Sequence, residues 1–149
     1  MNELIKANIN VMKYLGERKN HPAFALPNSV PDPYYQQGSH PDVVERIWDQ
    51  LGASLPKDCR CLVYGVPALV HPKSGIIFAL SRGTNYFLRL SEKIIDEAIK
   101  SGAETHIKWV GGGELNVQQE LGSDWIIGGW STNEIEWCKM IFDELNEGS

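Results

Sequence analysis

Between Cys59 and Leu90 lie four short apolar runs, CRCLVYG (59–65), PALVHP (67–72), GIIFALS (75–81) and NYFLRL (85–90). Turn-forming residues separate them, so the segment reads as a meander of three or four antiparallel strands. GIIFAL is apolar throughout, which predicts a central strand covered on both faces. Two more strands are expected, near 105–110 and 125–130. In AETHIKWV, Ala103, Thr105, Ile107 and Trp109 share one face and Glu104, His106 and Lys108 the other, the pattern of a half-exposed strand.

Helical patterning surrounds this core. Leu4, Ile5, Ile9, Met12 and Leu15 recur at helical spacing within 2–18. Val43, Ile47 and Leu51 do so within 41–51, where Ser39 or His40 is placed to cap and Pro41 suits the first turn. Ile94, Ile95, Ala98 and Ile99 mark a helix over 92–101, with Ser91 as its cap. The last helix, 132–146, opens on Ser131-Thr132-Asn133-Glu134, which fits a capping box, with Trp130 and Ile135 placed as a hydrophobic staple. The expected fold is α+β: an antiparallel sheet of about five strands flanked by four helices, in one domain of 149 residues. The helices are expected to cover one face of the sheet and its ends.

The segment 20–39 behaves differently. Prolines at 22, 27, 31 and 33 forbid a regular helix, yet Phe24, Leu26, Val30, Tyr34 and Tyr35 are more apolar than a disordered linker allows. It reads as an ordered proline-rich arm laid over the domain.

Function is less legible. Nineteen acidic residues oppose fourteen basic ones, a net charge of −5, which argues against nucleic acid as a partner. No run of apolar residues approaches a membrane span or a signal peptide's centre, so a cytoplasmic protein with no membrane association is expected. Cys59, Cys61 and Cys138 cannot all pair. Cys59 and Cys61 are expected on one strand face, and all three as reduced thiols. No cofactor is implied. No metal site is expected, since Cys-x-Cys lacks a second pair and the histidines lack an anchoring motif.

The one cluster of reactive residue types is His71-Pro72-Lys73-Ser74-Gly75. Proline, serine and glycine between two strands are turn chemistry. No acid in the neighbouring sequence would orient His71, so no catalytic residue is assigned. The carboxylate pairs Glu134/Glu136, Asp96/Glu97 and Asp143/Glu144/Glu147 read as solvated helix surface.

Residues 65–103 resemble the N-terminal domain of TfoX-like proteins and the related YjbR-like domains. Gly65, Lys73-Ser74-Gly75, Ile77-Phe78-Ala79-Leu80, Tyr86-Phe87-Leu88-Arg89 and Gly102-Ala103 carry the resemblance. It implies an α+β domain with an antiparallel sheet and no catalytic residue to transfer.

The favoured expectation is a non-catalytic protein-binding module, immunity- or antitoxin-like or self-associating, with Tyr34, Tyr35, Trp48 and Trp109 as contact candidates. The alternative is a small-molecule-binding protein or minor enzyme. Its pocket would lie between sheet and arm, with Tyr64, His71 and Arg89 on the wall.

Overall fold

The computed structural model describes residues 2–16, 21–28 and 39–147, with side chains from Lys6 onward. Tyr34, Tyr35 and most of the proline-rich arm lie outside the described residues. In chain order the elements are α1 (Asn2–Leu15), β1 (Phe24–Ala25), α2 (Pro41–Glu45), β2 (Arg60–Val63), β3 (Val66–Val70), β4 (Ile77–Arg82) and β5 (Asn85–Arg89). Then come α3 (Glu92–Lys100), β6 (His106–Lys108), β7 (Glu114–Asn116), α4 (Val117–Glu120), β8 (Trp125–Ile127) and α5 (Asn133–Glu147). The fold is α+β, as the strand and helix patterns predict.

The meander holds because its turns are chemically specified. Tyr64 and Gly65 both take positive φ, 47° and 80°, the two-residue turn that matches the twist of a hairpin. The His71–Gly75 turn closes through Gly75 N–H to His71 O, and Gly75 supplies a φ of 75°. Strand order in the main sheet is β1-β2-β3-β4-β5-β8, antiparallel throughout, six strands among the described residues.

Two features correct the expected sheet. The strand near 105–110 does not join it. His106–Lys108 pairs with Glu114–Asn116 as a separate hairpin, tied to the main sheet by a single bridge between Glu104 and Ile127. The open edge is instead extended by the arm: Phe24 pairs with Val63 and Ala25 with Leu62. Proline is tolerated there because an edge strand need not donate outward.

The helices also cover more than one face. On one side α2, the wide π-type turn Arg46–Leu51 that continues it, α3 and α5 pack on Leu62, Leu69, Phe78, Tyr86, Leu88 and Ile126. On the other, Val11 of α1, Leu115 of β7, and Val117 and Leu121 meet Val63, Ala68, Ile77, Leu80, Phe87 and Ile127. Central strand β4 is therefore buried from Ile77 to Ser81. Each large apolar side chain buried so completely contributes about 2 kcal/mol.

One helix start is as expected and two are not. His40 caps α2, its Nδ1 accepting from Asp42 N–H. Ser91 stands at the start of α3, but its hydroxyl makes no capping bond. No capping box forms at α5. Ser131 Oγ accepts from Asn133 N–H, while the Glu134 carboxylate turns inward to tertiary partners. Cys59 and Cys61 are not on one face: Cys59 sits in a 3-10 turn ahead of β2 and packs in one core, and Cys61 packs against the other. All three cysteines are free.

Candidate functional site

A cleft of about 620 Å³ opens where α1, the arm and the edge of the sheet meet. Asn8 and Met12 line it from α1, Phe24 to Leu26 from the arm, Arg60 and Cys61 from β2, and Val70 and His71 from the end of β3. Its wall is mostly apolar. Phe24 and Leu26 are 46% and 72% exposed, so the arm contributes apolar surface that the fold itself leaves open to solvent.

Asn8 and His71, on the cleft wall, are already engaged within the fold, while Asp58 also lines it and the Arg60 Nε is buried without a hydrogen-bond partner among the described residues. The Asn8 amide donates to Gly75 O at 2.8 Å, and its oxygen accepts from Ile77 N–H at 3.0 Å. It thus pins α1 to the start of β4 as a strand neighbour would. His71 is fully buried. Its Nδ1 accepts from Ser74 N–H at 3.0 Å, which fixes the proton on Nε2, and Nε2 donates to Asn146 Oδ1 at 2.6 Å. The ring stacks 5.1 Å from Phe142. Both nitrogens are occupied, neither by an acid, so the imidazole holds the turn to α5 and has no lone pair to lend a substrate. Burial pushes the Cys61 thiol up from its ordinary range, away from the nucleophilic thiolate. Arg60 is held by Asp49 at 3.1 Å.

Of the other sequence-derived candidates, Tyr64 occupies the hairpin turn, its N–H bonded to Ala23 O. Arg89 pairs with Asp124 at 2.7 Å and locks β5 to the entry of β8. Neither reaches the cleft, so His71 does not converge with them. Trp48 is buried, its indole N–H donating to Ala68 O at 2.9 Å, and serves the core rather than an exposed contact surface. Trp109 is half-buried beside Arg82. Tyr34 and Tyr35 lie outside the described residues.

Sequence reasoning missed a second polar centre. Arg46, Tyr86 and Glu134 are each at least 95% buried. Arg46 donates through Nη2 to Glu134 Oε1 at 3.2 Å and to Ser131 O at 2.7 Å, through Nη1 to Gln50, and through Nε to the Tyr86 hydroxyl. That hydroxyl donates to Glu134 and accepts from Trp130 N–H. Glu134 Oε2 accepts from Gly129 N–H at 2.7 Å. Glu134 is therefore not solvated helix surface. The network binds the π-type turn after α2, β5 and the start of α5 together, and Trp130 covers it, 5.6 Å from the Arg46 guanidinium. The signal for it was faint: an arginine among the apolar residues of the expected helix 41–51. Every member is satisfied within the fold, so the centre is a lock and not a reactive site.

Among the described residues, no group of three or more His, Cys, Asp or Glu is placed to hold a metal ion. No described helix is long and apolar enough to cross a membrane. Compared with protein-family models, curated proteins and solved structures, the chain matches none.

Proposed function

We propose that this chain is a non-catalytic binding protein that takes a small, largely apolar molecule into the cleft between α1, the arm and the sheet edge. The cleft itself carries the reading: about 620 Å³ falls within the size range of ligand pockets, and the wall has their apolar character. The commitment of Asn8 and His71 to holding the fold, with burial raising the Cys61 thiol away from the thiolate, supports binding over chemistry.

The test uses Nile red, a neutral apolar dye. Saturable one-to-one binding is expected, weakened at least about tenfold by Cys61→Trp, which fills the cleft from β2. Circular dichroism and a retained cooperative melt establish that the variant folds. Absence of saturable binding, or binding that Cys61→Trp leaves unchanged, sinks the reading.

A protein occupant is the second reading, favoured by the exposure of Phe24 and Leu26 on an edge strand. An acidic protein of this kind suits a basic partner. Sedimentation across a concentration series separates self-association from a monomer. The TfoX-like texture of residues 65–103 supports no activity, because the resemblance carries no catalytic residue.

A further inference from the structure

We propose that Arg82 anchors a second site, independent of the apolar cleft, that binds a small carboxylate. Arg82 ends β4, and its guanidinium carbon lies 5.9 Å from the ring of Tyr14 on α1 and 5.6 Å from the ring of Trp109 beyond β6. Aromatic rings hold a guanidinium by its face, which leaves the in-plane N–H fork for an oxyanion. Arg46, Arg60 and Arg89 each have a carboxylate partner, Glu134, Asp49 and Asp124 respectively. Among the described residues Arg82 has no ion pair or hydrogen-bond acceptor, although acidic residues outnumber basic ones in this chain.

Beside Arg82 lies a cavity of about 170 Å³, also lined by Tyr14, Ser39, Val66, Ser81 and Gly83, with no carboxylate among the described residues of its wall. Ser39 and Ser81 are at least 95% buried, and their hydroxyls share one hydrogen bond of 2.7 Å. Two hydroxyls bring two hydrogens and that bond uses one. Among the described residues the second has no acceptor, so the pair can donate once to a guest. A buried donor left unmade is costly, and a bound oxyanion would recover that cost.

The charge of the guest follows from α1. Its last turn, Tyr14 and Leu15, forms part of the wall, and a helix carbonyl end carries about half a negative charge. The full charge of Arg82 outweighs this, but the opposition grows with each charge on the ligand. A carboxylate is therefore favoured over dianionic phosphate.

The test is an NMR titration of the full chain with acetate, inorganic phosphate and chloride at matched ionic strength. Saturable shifts of the Arg82 Nε–H and the Gly83 amide are expected with acetate, with weaker binding of phosphate and only linear drift with chloride. Arg82→Lys keeps the charge but loses the fork, and should weaken acetate at least about tenfold. Ser81→Ala, which leaves Arg82 in place, should also weaken it. Drift with acetate no greater than with chloride, or saturation untouched by Arg82→Lys, overturns the site. Tighter phosphate overturns its preference for carboxylate. Unchanged Nile red binding in Arg82→Lys keeps the outcome separate from that of the cleft.

Discussion

Gly128 lies flush against the ring of Tyr86, so close that a β-carbon at 128 would overlap ring atoms Cε2, Cζ and Cδ2. The glycine that follows β8 thus makes room for the tyrosine at the centre of the buried network. Its N–H also donates to Tyr86 O at 2.7 Å.

Gly128→Ala should therefore destabilise the protein by about 2–4 kcal/mol through overpacking. Urea denaturation measures it. Combined with Tyr86→Ala, the loss should be clearly less than the sum of the two single losses, since the second substitution removes the obstacle. Full additivity would show that the ring and Gly128 do not meet.

Breaking the ion pair should cost more than exchanging it. Glu134→Ala leaves the Arg46 guanidinium, 5% exposed, without its carboxylate, an expected loss of about 3–5 kcal/mol. Replacing both residues, Arg46→Met with Glu134→Leu, should recover part of that loss. Denaturation midpoints in the single and double variants check this, and a double variant no more stable than Glu134→Ala contradicts it.

Alkali should destabilise the fold. Burial pushes the Cys59 thiol up to about 11 and the Cys138 thiol up to about 12, with the charges of Asp58 and Glu134 adding to the respective shifts. Burial and the bond to Glu134 also raise the Tyr86 hydroxyl above its ordinary range. The unfolded chain releases these protons first, from about pH 9 for the thiols, while the native state retains them. Stability from these groups is fully present below that pH and falls as pH rises toward the folded values. The slope is at most about 1.4 kcal/mol per pH unit for each group. Cys138→Ala should flatten the decline in urea midpoints measured between about pH 8 and about pH 11.

Cys61 is half-buried, whereas Cys59 and Cys138 are buried. A thiol reagent should label one equivalent in the native protein and three after unfolding. Burial raises the Cys61 thiol, so labelling should be slower than for a free cysteine and speed up with pH. Occupancy of the cleft should slow it further. Mass spectrometry of the labelled peptides locates the site, and native labelling elsewhere would contradict the burial pattern.

Asn8→Ala should loosen α1. It removes both the donor to Gly75 O and the acceptor for Ile77 N–H, an expected loss of about 1–3 kcal/mol. Hydrogen exchange should quicken at Ile77 and along α1, while β5 stays protected.

The sheet was legible where apolar runs and turn residues agree, as from Cys59 to Leu90. It was less so where the partner decides. IKW reads as a strand from its alternation, but alternation names no neighbour, and that segment pairs within its own hairpin. A two-residue strand among prolines leaves no period to detect, so β1 was missed. Ser131-Thr132-Asn133-Glu134 has the same letters whether its glutamate turns back on the helix or inward, and Arg46, 88 positions away, determines the outcome. For Cys59 and Cys61, period two fails because the strand begins only at Arg60. The cleft needs α1 and the arm to meet the sheet edge, and no local pattern encodes that meeting.

The order β1-β2-β3-β4-β5-β8 has its four middle strands in unbroken chain sequence, with only the outer two recruited from afar. Such a sheet can zip from the centre, where loops to close are short, and enlist its margins last. The apolar cleft borders one of those margins. Opening there disturbs only a two-residue strand, so a guest can enter by local breathing without melting the rest of the protein.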